Sequence, residues 1–319
     1  MRTYLLRRLL FALPTLLIVT FVIFFVFRLL PGDAALLRAT EGGRGNLDPV
    51  RYQELREELG LNRSVPVQYG EWIWDLVRLN GGTSLVTGQP VFKELGKNIP
   101  VTLELTVFAL FISLVIGIPV GVLSAAWRNS PWDYAGRVLT TAGLAMPSFL
   151  AGSALILILI IYFNWLPPLE YKSLFESPWH NLGQFIWPAL VLGMHNSAVL
   201  ARITRSSMLE ILRQDYVRTA HAKGLHPRII LERHALRNAL LPVVTIIGIQ
   251  AGTLMGGSVI TETIFVLPGV GTHLVDAISL RDWVTVQTIV TLFATVFLLV
   301  NILVDLLYGS LDPRIRYHS

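Results

Sequence analysis

The sequence predicts an all-α polytopic membrane protein with six transmembrane helices, and three observations carry that expectation. The 319 residues are 53% hydrophobic and only 15% charged, whereas soluble domains carry about a quarter charged residues. The apolar residues stand in blocks rather than at amphipathic spacing. Six of those blocks approach the roughly 20 residues that a helix needs to cross about 30 Å of hydrocarbon.

The blocks are approximately 9–30, 99–126, 135–163, 185–201, 239–266 and 286–308. The first follows MRTYLLRR and could be mistaken for a signal peptide. Its apolar run is longer than the usual h-region, and no clear small-residue cleavage site follows, so it is expected to stay as a span. The chain then divides into a tail and first span (1–30), an outer region (31–98), a five-span core (99–308) and a tail (309–319).

The short connections set the orientation. Residues 202–238 hold eight Lys/Arg against three Asp/Glu, the N-terminal tail has Arg2, Arg7 and Arg8, and the C-terminal tail has Arg314 and Arg316. The connections 164–184 and 267–285 carry one basic residue each. The positive-inside rule therefore places both termini and the 202–238 connection in the cytoplasm. Residues 31–98 have eight basic residues balanced by nine acidic ones, in a stretch too long for the rule to count. They are expected outside, as a small helical region. There PVRYQELREELG and QYGEWIWDLVRLNGG read as amphipathic helices ended by glycine, the second with Trp72, Leu76 and Leu79 on one face. The net charge of +5 is explained by this orientation, so no nucleic-acid partner is expected. The absence of cysteine excludes disulfides and thiolate chemistry.

Small residues recur at four-residue spacing, as Gly117 and Gly121 and as Gly248, Gly252 and Gly256, a pattern that lets helix backbones approach closely in lipid. Pro119 and Pro147 can kink their helices. Polar groups inside spans are costly and are functional candidates by default. His195, Asn196, Gln250, Thr253, Ser258 and Glu262 stand out, with Glu104, Asn301 and Asp305 nearer span ends. Each of these either lines a path or bonds a neighbouring helix or ion.

The stretch RQDYVRTAHAKGLHPRIILERHALRNALLP (213–242) interrupts the apolar pattern. Its periodicity predicts two short helices at an angle, with Gly224 as the turn residue and Pro227 in the first turn of the second helix. A stiff basic hairpin of this kind suits docking to another protein, or it serves only to fix orientation. His221, His226 and His234 sit on different faces or across the turn, so no metal site is expected. No nucleophile–base pair, H-E-x-x-H or phosphate-cradling G-x-x-x-x-G-K-[ST] occurs, so no catalytic residue is expected and the chain is not its own ATPase.

These residues carry a family resemblance. D-Y-V-R-T-A-H-A-K-G-L followed by R-H-A-L-R-N-A-L-L-P resembles the cytoplasmic coupling loop of ABC-importer permeases, in the form used by the dipeptide/oligopeptide branch. Of the general E-A-A pattern before the glycine, only Ala220 matches. LGLNRSVPVQYGEWI (59–73), RNSPWDYAGRVLTTAGLAMPSFLAG (128–152), TETIFVLPGVGTHLVDAISLRDW (261–283) and NILVDLLYGSLDPRIR (301–316) are similar to the same branch in order. LNGGTS (79–84) and Trp283 depart from it.

The resemblance implies the first of two permease subunits of a type I, binding-protein-dependent importer in the bacterial inner membrane. It implies a second permease, two ATPase subunits that bind ATP and Mg, and an extracytoplasmic substrate-binding protein. Asp215, Tyr216, Arg218, Thr219, Ala220, Ala222, Lys223, Gly224 and Leu225 become the expected ATPase-docking residues. Met146, Ser148, His195, Asn196, Gln250, Thr253, Ser258 and Glu262 become the expected path residues. The cargo expected is a di- or oligopeptide, with nickel chelates or glutathione-like compounds as alternatives, and a stand-alone secondary transporter as the remaining competitor.

Overall fold

A computed structural model describes residues 2–29, 34–39, 48–58 and 60–311. Among them the structure is helical, with one isolated bridge, Thr83–Pro90, and no strand. The helices are α1 (Arg2–Leu29), α2 (Ala34–Ala39), α3 (Pro49–Glu58), α4 (Val65–Val77), α5 (Val91–Ala126), α6 (Pro131–Ala145) and α7 (Ser148–Phe163). They continue as α8 (Pro178–Ile211), α9 (Asp215–Ala222), α10 (Pro227–Ile229), α11 (Arg237–Gly257), α12 (Val259–Ile264), α13 (Val270–Ser279) and α14 (Trp283–Leu311), with a π-helical turn at Ile230–Leu236.

Four helical stretches among the described residues are long and apolar enough to cross a membrane: Leu10–Leu29, Val91–Ala126, Pro227–Gly257 and Trp283–Val304. The predicted span 135–163 is instead two helices, α6 and α7, that meet at 96°. The kink expected at Pro147 is thus a full break. A proline disfavours helical backbone in the residue before it, and Met146 accordingly turns extended, with φ −89° and ψ 118°. The predicted span 185–201 lies inside α8, which at 34 residues is long enough to cross. Its composition is too polar to qualify among the four. The predicted span 239–266 is divided at Ser258 between α11 and α12.

The chain forms two compact units. The first comprises Leu103–Leu267 with the chain from Leu299 and the extreme N-terminus. Here α8 packs against α6, α7 and α11. The expected close approach is present at Gly121, where a Cβ would come within 2.6 Å of the Ala201 carbonyl oxygen. It is closer still at Gly248, where a Cβ would overlap the Val304 side chain. A side chain there has no room, so α11 and α14 touch backbone to side chain.

The second unit comprises Arg7–Thr102 and Pro268–Leu298. Phe24 of α1 packs edge-on against Tyr69 and tilted against Trp72 of α4, and Tyr69 Oη lies 3.0 Å from Thr20 Oγ1. Trp72, Ile73 and Leu76 form the half-buried face of α4. Leu79 leaves that face: it takes the left-handed φ of 57° and is 76% exposed, ending the helix where a glycine was expected. The glycines that follow serve close packing instead, since a Cβ on Gly81 would meet Thr288 Cγ2 at 2.8 Å.

Asp282, which precedes α14, accepts hydrogen bonds from Ser84 Oγ, Leu85 N (3.1 Å) and Thr285 Oγ1 (2.8 Å). The loop after α4 is thereby clasped to the start of α14. Ser84, the last residue of LNGGTS, is part of this clasp.

The contact at Gly248 gives a test. Gly248→Ala is expected to destabilise the purified protein by the ~1–3 kcal/mol typical of overpacking, read as a lowered thermal midpoint in detergent. Adding Val304→Ala removes the clashing methyls and is expected to recover part of the loss. A Gly248→Ala protein as stable as wild type contradicts the contact.

Candidate functional site

The 213–242 stretch folds as a two-armed hairpin. Asp215 stands in the first turn of α9, where its charge favours the helix dipole. Thr219 bonds back to the Asp215 carbonyl (2.9 Å). Gly224 takes φ +75°, a conformation that costs glycine nothing and other residues about 1–2 kcal/mol. His226 caps the second arm, its Nδ1 accepting from Arg228 N at 3.3 Å. The arm then runs through the π turn into α11 without interruption.

The hairpin has its own core. Val217, Ala220 and Ile230 are buried together, with Ile211 and Leu212 packed on them. A second cluster, Ala125, Met208, Ala235 and Ala239, joins the base of the hairpin to the ends of α5 and α8. Tyr216 Oη donates to the His234 carbonyl (3.2 Å) and accepts from Asn238 Nδ2 (2.9 Å), tying the two arms. Asp215, Arg218, Thr219, Ala222, Lys223 and Leu225 are exposed. Ala220 is the correction: at 5% exposure it faces the opposite arm and packs the hairpin from within. Arg218 pairs only loosely with Asp215, at 3.5 Å, so the polar row stays available.

Three of the eight expected path residues converge. Met146, Ser148 and His195 line a cleft of about 460 Å³ between α5, α6, α7 and α8, with Trp187 and Met194 among its apolar walls. His195 Nδ1 donates to the Gly143 carbonyl at 3.2 Å, so α8 grips α6 one turn before the 96° break.

The other five lie elsewhere. Gln250 is buried; its Nε2 donates to the Asn196 carbonyl (2.9 Å) and its Oε1 accepts from Ser113 Oγ (3.4 Å). The Asn196 side chain donates to Leu192 O on its own helix. This pair stitches α8 to α11 and α5 rather than facing the cleft. Thr253 bonds its own helix at Ile249 O. Ser258 Oγ donates to Glu262 Oε1 (2.8 Å), both fully buried where α11 gives way to α12. Glu104 of α5 accepts from Asn181 Nδ2 of α8 (2.7 Å), and Asn181 Nδ2 also donates to the Lys172 carbonyl (2.8 Å), which holds the 164–177 connection against α8. Burial, aided by the nearby Glu104 carboxylate, pushes the Tyr171 phenol of that connection up to about 12. The Asp305 side chain lies outside the described residues. Among the described residues no group of His, Cys, Asp and Glu could hold a metal.

One cluster was not anticipated. Asp133 is fully buried in the first turn of α6 and accepts a two-pronged contact from Arg205 of α8, Nε to Oδ1 and Nη2 to Oδ2, both 2.8 Å. Ser124 Oγ and Asn129 N complete its shell. Asp133 and Arg205 are 72 residues apart in sequence, so neither periodicity nor spacing could pair them.

With this geometry in place, comparison with known proteins is decisive. Residues 117–317 match the family model described as binding-protein-dependent transport system inner membrane component, and residues 1–106 match the model for the N-terminal part of such membrane components. The chain belongs to this family. The permease is 42% identical to the dipeptide transport system permease protein DppB of Escherichia coli K12, over 99% of each chain. It is 38% identical to DppB of Alkalihalophilus pseudofirmus, over 99% of this chain and all of the relative. It is also 39% identical to the glutathione transport system permease protein GsiC of Pectobacterium atrosepticum, again over 99% and 100%. Its fold is similar to a chain of the inward-facing MetNI methionine ABC transporter, with a TM-score of 0.56 at 20% identity, over 69% of this permease and 97% of that chain.

The Asp133 cluster gives a second test. Asp133→Ala removes the buried carboxylate partner of Arg205, which is itself 21% exposed and keeps Ser124 Oγ, and is expected to destabilise the permease by about 1–3 kcal/mol. Asp133→Leu combined with Arg205→Met is expected to be markedly milder than either single change. Equal losses in the single and double variants, measured by denaturant titration in detergent, contradict the pairing.

Proposed function

We propose that this permease is one of two membrane subunits of an ATP-driven importer of di- and oligopeptides in a bacterial inner membrane. It crosses the bilayer six times, with α8 and the bent α6–α7 pair supplying the two spans beyond the four most apolar helices. Both termini and the 211–238 hairpin face the cytoplasm, in keeping with the basic bias of those segments. Two ATPase subunits bind ATP and Mg there, a second permease completes the path, and a soluble binding protein delivers cargo on the outer side.

The observation that carries this reading is the hairpin. It has its own buried core, a turn that depends on Gly224 and an exposed polar row on α9. Asp215, Arg218, Thr219, Ala222, Lys223 and Leu225 dock against the ATPase. Tyr216, Ala220 and Gly224 act one step back by keeping the arms rigid. Because the second arm runs directly into α11, displacement of the hairpin tip is delivered to a span, which re-packs between two arrangements with different contacts. Met146, Ser148 and His195 line this subunit's part of the path. Cargo is peptide in the first place on the likeness to the two DppB proteins. A glutathione-type peptide is the second reading, favoured by the likeness to GsiC.

The test is purification of tagged permease from solubilised membranes, wild type beside Gly224→Val and Gly224→Asn. Wild type is expected to bring both ATPases and the second permease and to show peptide-stimulated ATP hydrolysis in liposomes. Gly224→Val is expected to lose at least tenfold in that stimulation, while Gly224→Asn, which tolerates positive φ, keeps most of it. Peptide uptake by the wild-type chain alone, without ATP, overturns the reading. Competition between dipeptides and glutathione in the intact complex separates the two cargo readings.

A further inference from the structure

A second, smaller cleft lies beside the Asp133 cluster, with a volume of about 220 Å³. Arg137, Arg202 and Arg205 line it together with the hydroxyl-bearing Ser124, Thr140 and Ser206. Asp133 is the carboxylate that faces these guanidinium groups. Its oxygens are already filled by Arg205, Ser124 and Asn129, and Arg137 reaches it only at 3.8 Å. Arg202 is exposed and makes no hydrogen bond or ion pair with any described residue. Arg137 lies with its guanidinium carbon 4.4 Å from the Tyr134 ring centroid, which holds the side chain at the cleft rim. One carboxylate against three arginines leaves a pocket of positive charge, while the Ser124, Thr140 and Ser206 hydroxyls already donate within the protein.

The surroundings indicate what fills it. Trp127, at the end of α5, is 52% exposed, and Trp132, at the start of α6, is 73% exposed, with Tyr134 beside it. Aromatic side chains paired with basic ones at the ends of apolar helices mark the depth of lipid headgroups. Basic pockets between helix ends at that depth suit anionic headgroups. The cleft also shares Val120, Thr140 and Ala201 with the apolar cleft above it. A ligand with an anionic head therefore meets apolar surface on its inner side. We propose that this cleft binds the phosphodiester headgroup of an anionic phospholipid, with Arg137 and Arg202 as its ionic contacts and Arg205 held in place by Asp133. This inference requires that the permease lies in a bilayer; the site adjoins the cleft assigned above to the cargo path, but its test does not depend on that assignment.

The shared chemistry is a phosphate anion, and the experiment separates its sources. Full-length permease in detergent is titrated with phosphatidylglycerol or phosphatidylcholine and examined by native mass spectrometry. The wild type is compared with the double variants Arg137→Gln/Arg202→Gln and Arg137→Lys/Arg202→Lys, both checked for an unchanged thermal midpoint. At about 1 kcal/mol per basic residue near an anionic surface, the Gln pair is expected to weaken phosphatidylglycerol binding roughly 25-fold. The Lys pair is expected to stay within a few-fold of wild type, and phosphatidylcholine is expected to bind all three weakly and alike. Equal phosphatidylglycerol binding by wild type and the Gln pair overturns the site. So does equal binding of the two lipids by wild type. Full displacement of phosphatidylglycerol by millimolar inorganic phosphate, or by a dipeptide, overturns the lipid as ligand in favour of a soluble anion.

Discussion

Polar groups that enter hydrocarbon must find partners inside the protein, because no water is there to take their place. The first unit of this permease is organised around that constraint, and α8 is the helix that meets it. It carries Asn181, Gln184, His195, Asn196, Ser197, Thr204 and Arg205 through the depth of the fold. Most of them find a partner, although Thr204 Oγ1 is buried without one among the described residues. Asn181 holds Glu104 of α5, His195 grips α6, the Asn196 backbone receives Gln250 of α11, and Arg205 fixes Asp133 at the start of α6. A helix surrounded by α5, α6, α7 and α11 has little need to be apolar. That is why it falls outside the set of helices that qualify by composition while burying so much of its surface.

The same bonds determine which parts of the unit are stiff. α6 is tied to α8 near its start by Asp133 and near its end by the Gly143 carbonyl, so the helix entering the 96° break is held along its length. α11 is tied through Gln250 and pressed against α14 at Gly248. Between these fixed points sits the hairpin. Its base cluster of Ala125, Met208, Ala235 and Ala239 is built mostly from small side chains, which bring the ends of α5, α8 and the hairpin's second arm close together. In the proposed assembly a force on α9 is divided at this base between α8 and α11, with little compliant side-chain volume to absorb it.

Much of this was legible in the residues. Apolar blocks located five of the six predicted spans on helices, or a bent pair of helices, that qualify by length and composition together, because span length is set by the bilayer and composition records it directly. Gly224 and Pro227 gave the hairpin, since a left-handed turn and a helix start each impose a local residue choice. What was hidden depended on distance. Asp133 with Arg205, and Ser84 with Asp282, are separated by 72 and 198 residues, and no local pattern links such pairs. The faces of short helices were also hidden. Ala220 reads as a small residue free to let a partner approach, but it is spent inside the hairpin, and Leu79 reads as the continuation of an apolar stripe on a helix that has already ended. Of the polar span residues, Gln250 and Asn196 show the general difficulty: a side chain that lines a path and one that stitches two helices have the same chemistry, and only the neighbour distinguishes them.

That ambiguity bears on where cargo selection resides. The cleft with Met146, Ser148 and His195 is walled largely by apolar side chains, and its one titratable group already spends a ring nitrogen on the Gly143 carbonyl. Such a wall offers a peptide bulk contact and one or two hydrogen bonds. It has no opposed charges with which to hold the peptide's termini. A site built this way discriminates weakly, since a methylene in an apolar pocket changes affinity by only about 1–3 kcal/mol. Weak discrimination suits a path that must release what it admits. It also accounts for a chain similar, at almost the same identity, to a permease named for dipeptides and to one named for glutathione: in the proposed importer, selectivity is left to the binding protein that presents the cargo, and the permease conserves its polar residues for holding its own helices together.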